Sequence, residues 1–210
     1  FIEIYKKNVA MYPDKVAVVD ETCKLTYAQL DIESDKIAKS LNDFGDDKIV
    51  AVCMDRSADF VSTIIAIFKL GRVYLPIDPE YPSARIKQML VDADVGISFT
   101  TEEYCEKVKN CSSKMKVLEL ESVDMINTTT HDFDVLSQED AYIIFTSGTT
   151  GKPKGAIVKH EGMMNHLQSK IELLGLSSDT KIIEIASQCF DISVWQFLSA
   201  LLVGGEVHII

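Results

Sequence analysis

The sequence lacks any apolar run long enough to cross a membrane. A helical span needs about 20 predominantly apolar residues, whereas the longest apolar stretch, Phe60 to Phe68, is interrupted by Ser62 and Thr63 and ends at Lys69. Hydrophobic residues still make up 47% of the 210 positions, and charged residues 25%. This balance is typical of a globular domain with a sizeable core, so we predict a globular protein with no membrane partner.

Positive charge is also scarce. The chain carries 21 Lys and Arg residues against 32 Asp and Glu residues, which gives a net charge of −11. A surface of that sign repels nucleic acid and anionic membranes, so no nucleic-acid partner is predicted. Any bound nucleotide must be held by local groups that act against the overall field.

The cysteines and histidines lack the spacings of a structural metal site. The five cysteines contain no CxxC pair, and the four histidines form neither an HExxH motif nor a cluster with cysteine. No structural zinc site is therefore predicted. An odd number of scattered cysteines indicates reduced thiols, as expected in a cytoplasmic protein.

Strand-like and helix-like segments alternate along the chain. The predicted helices are 2–11, one between Thr26 and Gly45, 58–70, 83–93, 102–109, 162–174 and 193–203; the predicted strands are 16–20, 49–54, 73–77, 96–100, 116–120, 141–146, 156–159, 181–186 and 206–210. Continuous apolar runs are typical of strands buried on both faces. The alternation predicts an α/β fold, layered α/β/α, with largely parallel sheets.

Local signals mark the ends of two predicted helices. Thr26, with Gln29 three residues later, has the spacing of a capping box. Gly45 suits the C-terminal cap of the same helix. Ser83 is predicted to cap the helix that runs to about residue 93.

Two segments bear on the extent of the domain. The polar stretch 121–140 has no clear period and is predicted to be a subdivision or a mobile connection. The final residues, 204–210, have the pattern of a strand in the middle of a sheet. We therefore expect the 210 residues to be part of a longer protein.

A glycine-rich loop, TSGTTGKPKGA, follows the apolar run 142–145. It is not a Walker A loop, because Thr146 stands where the first glycine is required and Pro153 where the magnesium-binding hydroxyl is required. It does not match GxGxxG either. Its glycines would still let backbone N–H groups approach an oxyanion, while its hydroxyls and lysines add donors and charge. A simple surface turn between two strands is the alternative.

Four stretches resemble the motifs of one enzyme group, and they occur in that group's order. They are LTYAQL (25–30), FKLGRVYLPIDPEYPSARI (68–86), YIIFTSGTTGKPKGA (142–156) and FDISVW (190–195). Together they resemble the adenylate-forming, or acyl-activating, superfamily over essentially the whole chain. PIDPEYP and FDISVW are most similar to the N-terminal part of an amino-acid adenylation domain of nonribosomal peptide synthetases.

The resemblance implies two half-reactions. An amino-acid carboxylate attacks the α-phosphorus of ATP·Mg²⁺ to give an aminoacyl adenylate and pyrophosphate, and the phosphopantetheine thiol of a peptidyl carrier protein then takes the acyl group. Positioning and charge stabilisation dominate such a step. The loop would bind ATP and pyrophosphate through Thr146, Ser147, Gly148, Thr149, Thr150, Gly151 and Lys154.

The motif FDISVW implies a substrate site. By resemblance, Asp191 pairs with the α-ammonium of the substrate, Ile192 and Trp195 line its side-chain pocket, and Phe190 lines the approach of the thiol. Three of these residues have a plainer alternative. Asp191 would cap a helix that starts near Ser193, while Trp195 and Phe190 would be ordinary core residues.

Two further features are predicted to be structural. The motif PIDPEYP, which includes Asp78 and Tyr81, is expected to shape the chain and not to bind a ligand. His160 is expected to be a hydrogen-bonded histidine without a role as a catalytic base.

Later motifs of the superfamily do not occur in these 210 residues. The resemblance places the catalytic lysine, the magnesium carboxylate and the C-terminal subdomain beyond residue 210, so no catalytic or metal residue is assigned within 1–210. We expect this N-terminal portion to be inactive alone. Two alternatives stay open: a stand-alone acid–thiol ligase, of the D-alanine–carrier protein ligase or acyl-CoA synthetase type, and a truncated, non-catalytic docking module.

Overall fold

The computed structural model describes residues 1–123, 139–146 and 153–210, which form two sheets and seven α-helices. The helices are α1 Ile2–Met11, α2 Tyr27–Phe44, α3 Ala58–Lys69, α4 Ser83–Asp92, α5 Glu102–Lys109, α6 His160–Leu174 and α7 Asp191–Val203. The strands are β1 Val16–Val19, β2 Lys24–Thr26, β3 Ile49–Cys53, β4 Val73–Ile77, β5 Ile97–Thr100, β6 Lys116–Glu119, β7 Asp140–Thr146, β8 Lys154–Lys159, β9 Lys181–Glu184 and β10 Glu206–Ile209. The predicted alternation of strands and helices is confirmed.

Both sheets are largely parallel, as predicted. The six-stranded sheet has the order β6-β5-β3-β4-β7-β8, and only its edge strand β8 runs antiparallel to its neighbour among the described pairs. The four-stranded sheet has the order β2-β1-β10-β9, with β2 antiparallel to β1. The α/β class follows from parallel strands joined by helical crossovers.

Helices cover both faces of the six-stranded sheet, which gives the predicted layers. On one face, α4 and α5 contribute Ile86, Met89 and Val108 to a small core with strand residues. On the other face, α3 is buried along its length except at Asp59, and Phe60 lies 5.2 Å from Phe197 of α7 between ring centroids. A helix that is apolar all round belongs in such an interior layer.

The predicted helix caps have different outcomes. Thr26 and Gln29 form the capping box: Gln29 N donates to Thr26 Oγ1 at 3.3 Å, and Thr26 N donates to Gln29 Oε1 at 2.9 Å. Gly45 does follow the last residue of α2, but its φ of 169° is extended. Left-handed glycine caps occur at Gly175, after α6, where φ is 59°, and at Gly204, after α7, where φ is 77°.

The prediction that Ser83 caps α4 is wrong. Pro82 occupies the cap position, and its carbonyl accepts hydrogen bonds from the backbone N–H groups of Arg85 at 2.8 Å and Ile86 at 3.1 Å. The proline ring holds φ at −55°, which is compatible with the start of a helix. Ser83 is therefore the first helical residue.

Two boundaries near the site also differ from prediction. Helices α6 and α7 each begin two residues earlier than predicted, at His160 and Asp191. Strand β2 was not predicted, because three residues carry no period of their own and form a strand only by pairing with β1. Residues 124–138, the greater part of the predicted subdivision, lie outside the described residues.

Among the described helices, none combines the length and apolar character needed to span a bilayer. Likewise, within residues 1–123, 139–146 and 153–210, no three His, Cys, Asp or Glu side chains converge as they would at a metal ion.

Candidate functional site

A cleft of about 430 Å³ opens between the β7–β8 hairpin, the segment that leads into α7 and the turn that precedes α4. Its lining residues are Tyr81, Arg85, Tyr142, Ile144, Phe145, Thr146, Ala156, Val158, Cys189, Phe190 and Asp191. The volume lies in the range of small-molecule sites, and apolar walls with a few polar groups are typical of them.

The cleft has a buried apolar floor and an exposed polar rim. Tyr142, Ile144 and Cys189 are buried in its floor, whereas Thr146 and Asp191 are exposed at its edge. Burial followed by the negative charge of Asp191 raises the pKa of Tyr142. The phenol of Tyr142 is therefore uncharged near pH 7, and the carboxylate of Asp191 at the rim adds to the increase in its pKa.

Asp191 is the first residue of α7 and does not cap the helix. Phe190 occupies the cap position, and no side chain there accepts a cap hydrogen bond. The alternative that Asp191 caps a helix starting near Ser193 is thus wrong, because the helix starts at Asp191 itself. The carboxylate makes no hydrogen bond or ion pair with the described residues, so it is available to a ligand cation.

Phe190 lies on the cleft wall and is 61% exposed. The plainer alternative of ordinary core packing does not describe it, since a buried core phenylalanine would be shielded from solvent. Its backbone carbonyl accepts hydrogen bonds from Ser193 N at 3.0 Å and Ser193 Oγ at 2.7 Å. These bonds hold the turn that presents Phe190 and Asp191 together.

Ile192 and Trp195 share a face of α7, but neither is among the described residues that line the cleft. Ile192 is 48% exposed. Trp195 is half-buried and packs against the large core, while Lys170 Nζ lies 5.6 Å from its ring centroid. The role of Ile192 and Trp195 in the substrate pocket therefore stays a prediction.

The glycine-rich loop connects β7 to β8. Thr146 ends β7, Lys154 begins β8, and the two residues pair in register. Both are exposed, and Thr146 lines the cleft while Lys154 does not. The other predicted phosphate-binding residues, Ser147, Gly148, Thr149, Thr150 and Gly151, lie outside the described residues.

The motif PIDPEYP has a structural role, and it also contributes to the cleft. Asp78 accepts a hydrogen bond from Glu80 N at 2.9 Å, and its carbonyl accepts one from Tyr81 N at 3.0 Å. This turn places Tyr81 on the cleft wall. The signal that could have identified it is its position just after β4, since ligand sites in α/β proteins lie beyond the carboxyl ends of strands.

Two further lining residues were not predicted from the sequence. The guanidinium carbon of Arg85 lies 3.8 Å from the ring centroid of Tyr81. Cys189 is buried beside the same tyrosine, and burial raises the pKa of its thiol to about 12. Burial likewise raises the pKa of Tyr81 to about 12, so both groups are neutral near pH 7.

Long-range contacts fix residues 185–190, the segment that carries Phe190 to the cleft. Arg56 Nη1 donates to Glu184 Oε2 at 2.9 Å and to the Ala186 carbonyl at 3.1 Å. Gln196 Oε1 accepts from Ala186 N at 3.2 Å, and Gln188 Nε2 donates to the Met54 carbonyl at 3.2 Å. These bonds tie the segment to the end of β3 and to α7.

Glu184 is fully buried, and its environment opposes ionisation. Burial raises its pKa to about 7, although the positive charge of Arg56 and the hydrogen bond between them act in the other direction. Its second oxygen, Oε1, has no hydrogen-bond partner among the described residues. The pair therefore links the two sheets through a carboxyl group that titrates near neutrality.

His160 begins α6 and is held by its backbone. Its N–H donates to the Glu139 carbonyl at 2.8 Å, and its ring lies edge-on to Phe68 with 5.4 Å between centroids. Burial lowers the pKa of the imidazole. This placement outside the cleft agrees with a structural histidine.

Comparison with protein families gives a match over nearly the whole chain. The family described as AMP-binding enzyme matches residues 5–210. Tyrocidine synthase 1 of Brevibacillus parabrevis is 36% identical over 213 residues, which are 99% of this chain and 20% of that protein. The chain thus spans about one fifth of that relative.

Solved structures show the same fold. The nonribosomal peptide synthetase FmoA3, bound to alpha-methyl-L-serine-AMP, has a TM-score of 0.88 and 25% identity over 99% of this chain and 23% of its own. The N-terminal subdomain of NpsA from Klebsiella oxytoca, in complex with 3-hydroxybenzoyl-AMSN, has a TM-score of 0.86 and 27% identity. That match covers all of this chain and 53% of the NpsA chain.

Proposed function

We propose, since the chain belongs to the AMP-binding enzyme family, that it is part of a ligase that activates an amino acid with ATP. The amino-acid carboxylate attacks the α-phosphorus of ATP, pyrophosphate leaves, and the aminoacyl adenylate passes its acyl group to the phosphopantetheine thiol of a peptidyl carrier protein. The observation that carries the proposal is one shared cleft. Asp191 and Thr146, the first residue of the glycine-rich loop, both line it.

The rim of the cleft suits the charges of an amino acid and a nucleotide. Asp191, which has no described partner, would receive the α-ammonium group. Thr146 and Lys154 stand at the two ends of the loop connection, where a hydroxyl and an ammonium group would help residues 147–151 to hold the leaving phosphates. The relatives support an amino-acid substrate, because FmoA3 binds an amino-acid adenylate.

In this reaction the protein's contribution is positional. Nucleophilic attack by a bound carboxylate on a bound phosphate needs alignment and stabilisation of the leaving charge more than covalent help. Magnesium would accompany ATP and neutralise its phosphates, but no described residue is assigned to it. The catalytic lysine is proposed to lie beyond residue 210, so residues 1–210 alone are not expected to form the adenylate.

Amino-acid-dependent ATP–pyrophosphate exchange tests the proposal in the longest chain that contains this sequence. We expect exchange with one amino acid or a few, and a loss of at least about a hundredfold in Asp191→Asn, because the ammonium would lose the one carboxylate among the described residues that line the cleft. Glu161→Gln is the matched control, since Glu161 is an exposed acidic residue in the first turn of α6. Its exchange rate should not change.

A second candidate is activation of an aryl acid, because the similar NpsA subdomain binds 3-hydroxybenzoyl-AMSN. Such a substrate has no α-ammonium group, so Asp191→Asn would leave its activation nearly intact. Exchange with aryl acids and not with amino acids would replace the first proposal. A folded protein that neither exchanges pyrophosphate nor binds ATP would favour the docking-module alternative.

A further inference from the structure

Arg85 is the one cation among the described residues that line the cleft, and Asp191 is the one carboxylate. Arg85 lies on α4, beyond the end of β4, whereas Asp191 begins α7. The cleft therefore carries opposite charges on two of its walls. A ligand that fills it would be matched in charge if it placed an oxyanion near Arg85.

The guanidinium of Arg85 is positioned by stacking and not by an ion pair. It lies 3.8 Å from the ring centroid of Tyr81, and it forms no ion pair with the described residues. Stacking occupies the face of the guanidinium and leaves its N–H edges open, and these edges form the fork that matches phosphate or carboxylate. Arg85 is exposed and lines the cleft, so its N–H groups are accessible to a ligand there.

Resting on the proposed function, we propose that Arg85, held on Tyr81, binds the phosphodiester of the carrier protein's phosphopantetheine arm. Three reactants carry oxyanions. The glycine-rich loop would hold the phosphates of ATP, and the substrate carboxylate is consumed when the mixed anhydride forms. The phosphodiester remains charged throughout and stays at the entrance, because it joins the arm to the carrier protein.

The rest of the cleft fits the uncharged part of such an arm. Tyr81 and Phe190 line the wall, and the buried residues Tyr142 and Ile144 form the floor. These groups offer apolar and aromatic surface to an aliphatic chain with amide groups. Arg85 would thus fix one end of the arm, so that its thiol points along the cleft toward Asp191, where the acyl group is proposed to lie.

The test compares two small ligands that differ only in a phosphate. Binding of 4′-phosphopantetheine and of pantetheine to the longest chain that contains this sequence is measured by isothermal titration calorimetry, for the wild type, Arg85→Gln and Lys87→Gln. We expect the wild type to bind 4′-phosphopantetheine about tenfold more tightly than pantetheine, since a charge-assisted contact is lost with the phosphate. Arg85→Gln should reduce that ratio to about twofold or less.

Lys87→Gln is the matched control, because Lys87 is an exposed cation on the same helix that does not line the cleft. This variant should retain the wild-type ratio of the affinities for 4′-phosphopantetheine and pantetheine. In both proteins added salt should bring that ratio closer to one. Thermal unfolding of all three proteins establishes that the variants are folded. Equal binding of both ligands by the wild type, or an unchanged ratio in Arg85→Gln, would overturn the inference.

The outcome is independent of whether the protein forms an adenylate. Failure of pyrophosphate exchange rejects the proposed function, whereas the ligand ratio is measured by binding alone. If exchange occurs and Arg85→Gln raises the KM for ATP or for the amino acid severalfold, Arg85 binds the nucleotide or the substrate carboxylate instead. That result would also overturn the assignment to the arm.

Discussion

Two segments bring functional side chains to the cleft, and different kinds of contact hold them. The β7–β8 hairpin is held by neighbouring backbone pairs, with Thr146 opposite Lys154. The segment 185–190 depends on side chains that are distant in sequence, since Arg56 lies 128 positions before Glu184 and Gln188 lies 134 positions after Met54. The hairpin is therefore a local structure, whereas the position of Asp191 depends on the packing of both sheets.

Among the substitutions that test this difference between the two segments, Arg56→Ala should lower the free energy of unfolding most. The change leaves Glu184 buried without its counter-charge and removes the bond to the Ala186 carbonyl. We expect a loss of about 3 kcal/mol in the free energy of unfolding, with a matching fall in the affinity for the substrate. Chemical denaturation measures the loss of stability. The control is Lys109→Ala, which breaks an exposed pair with Glu119 and should have a much smaller effect on stability, because solvent screens exposed ion pairs.

Glu184→Gln should change the pH dependence of stability. The pKa of Glu184 is raised from 4.5 to about 7, so the folded protein binds a proton more tightly than the unfolded chain. The stabilisation of the folded protein by proton binding at Glu184 is complete below pH 4.5, and it is lost as the pH rises to about 7. The difference in unfolding free energy between variant and wild type should therefore grow in favour of the variant as the pH rises from 4.5 to about 7, by on the order of 3 kcal/mol. A constant difference from pH 4 to pH 8 would contradict this assignment.

Gln196→Ala should have a smaller effect in the same region. It removes the acceptor for Ile185 N at 3.4 Å and Ala186 N at 3.2 Å. Two backbone donors lose a long hydrogen bond, which we expect to cost about 1 kcal/mol and to raise the KM for the amino acid. Gln168→Ala, on the exposed face of α6, should leave both quantities unchanged, and equal effects of the two variants would argue against the role of Gln196.

A substitution in the β7–β8 hairpin should have the smallest effect on the free energy of unfolding. Lys154→Gln removes an exposed charge, so the free energy of unfolding should change by less than about 0.5 kcal/mol. The KM for ATP in pyrophosphate exchange should nevertheless rise about fivefold, because a phosphate contact is lost. Lys159→Gln, at the other end of β8, provides the control, and an equal KM in both variants would exclude Lys154 from the nucleotide site.

Much of the fold could be predicted from periodicity and local signals. The strand 73–77 and the helices 2–11 and 102–109 have the predicted bounds, because apolar runs and breakers coincide there. The starts of α6 and α7 were placed two residues late, since neither helix has a side chain that caps it. Strand β2 was not predicted, because its three residues carry no periodic pattern and form a strand only by pairing with β1.

The sequence by itself determined the family, the α/β class and the glycine-rich loop between two strands, because these depend on short motifs and on the spacing of apolar residues. Only the tertiary structure decided that Thr146, Arg85 and Asp191 share one cleft. The physical reason is that a cleft is formed where β7, α4 and α7 converge. That convergence follows from the packing of two sheets around α3, which no local pattern encodes.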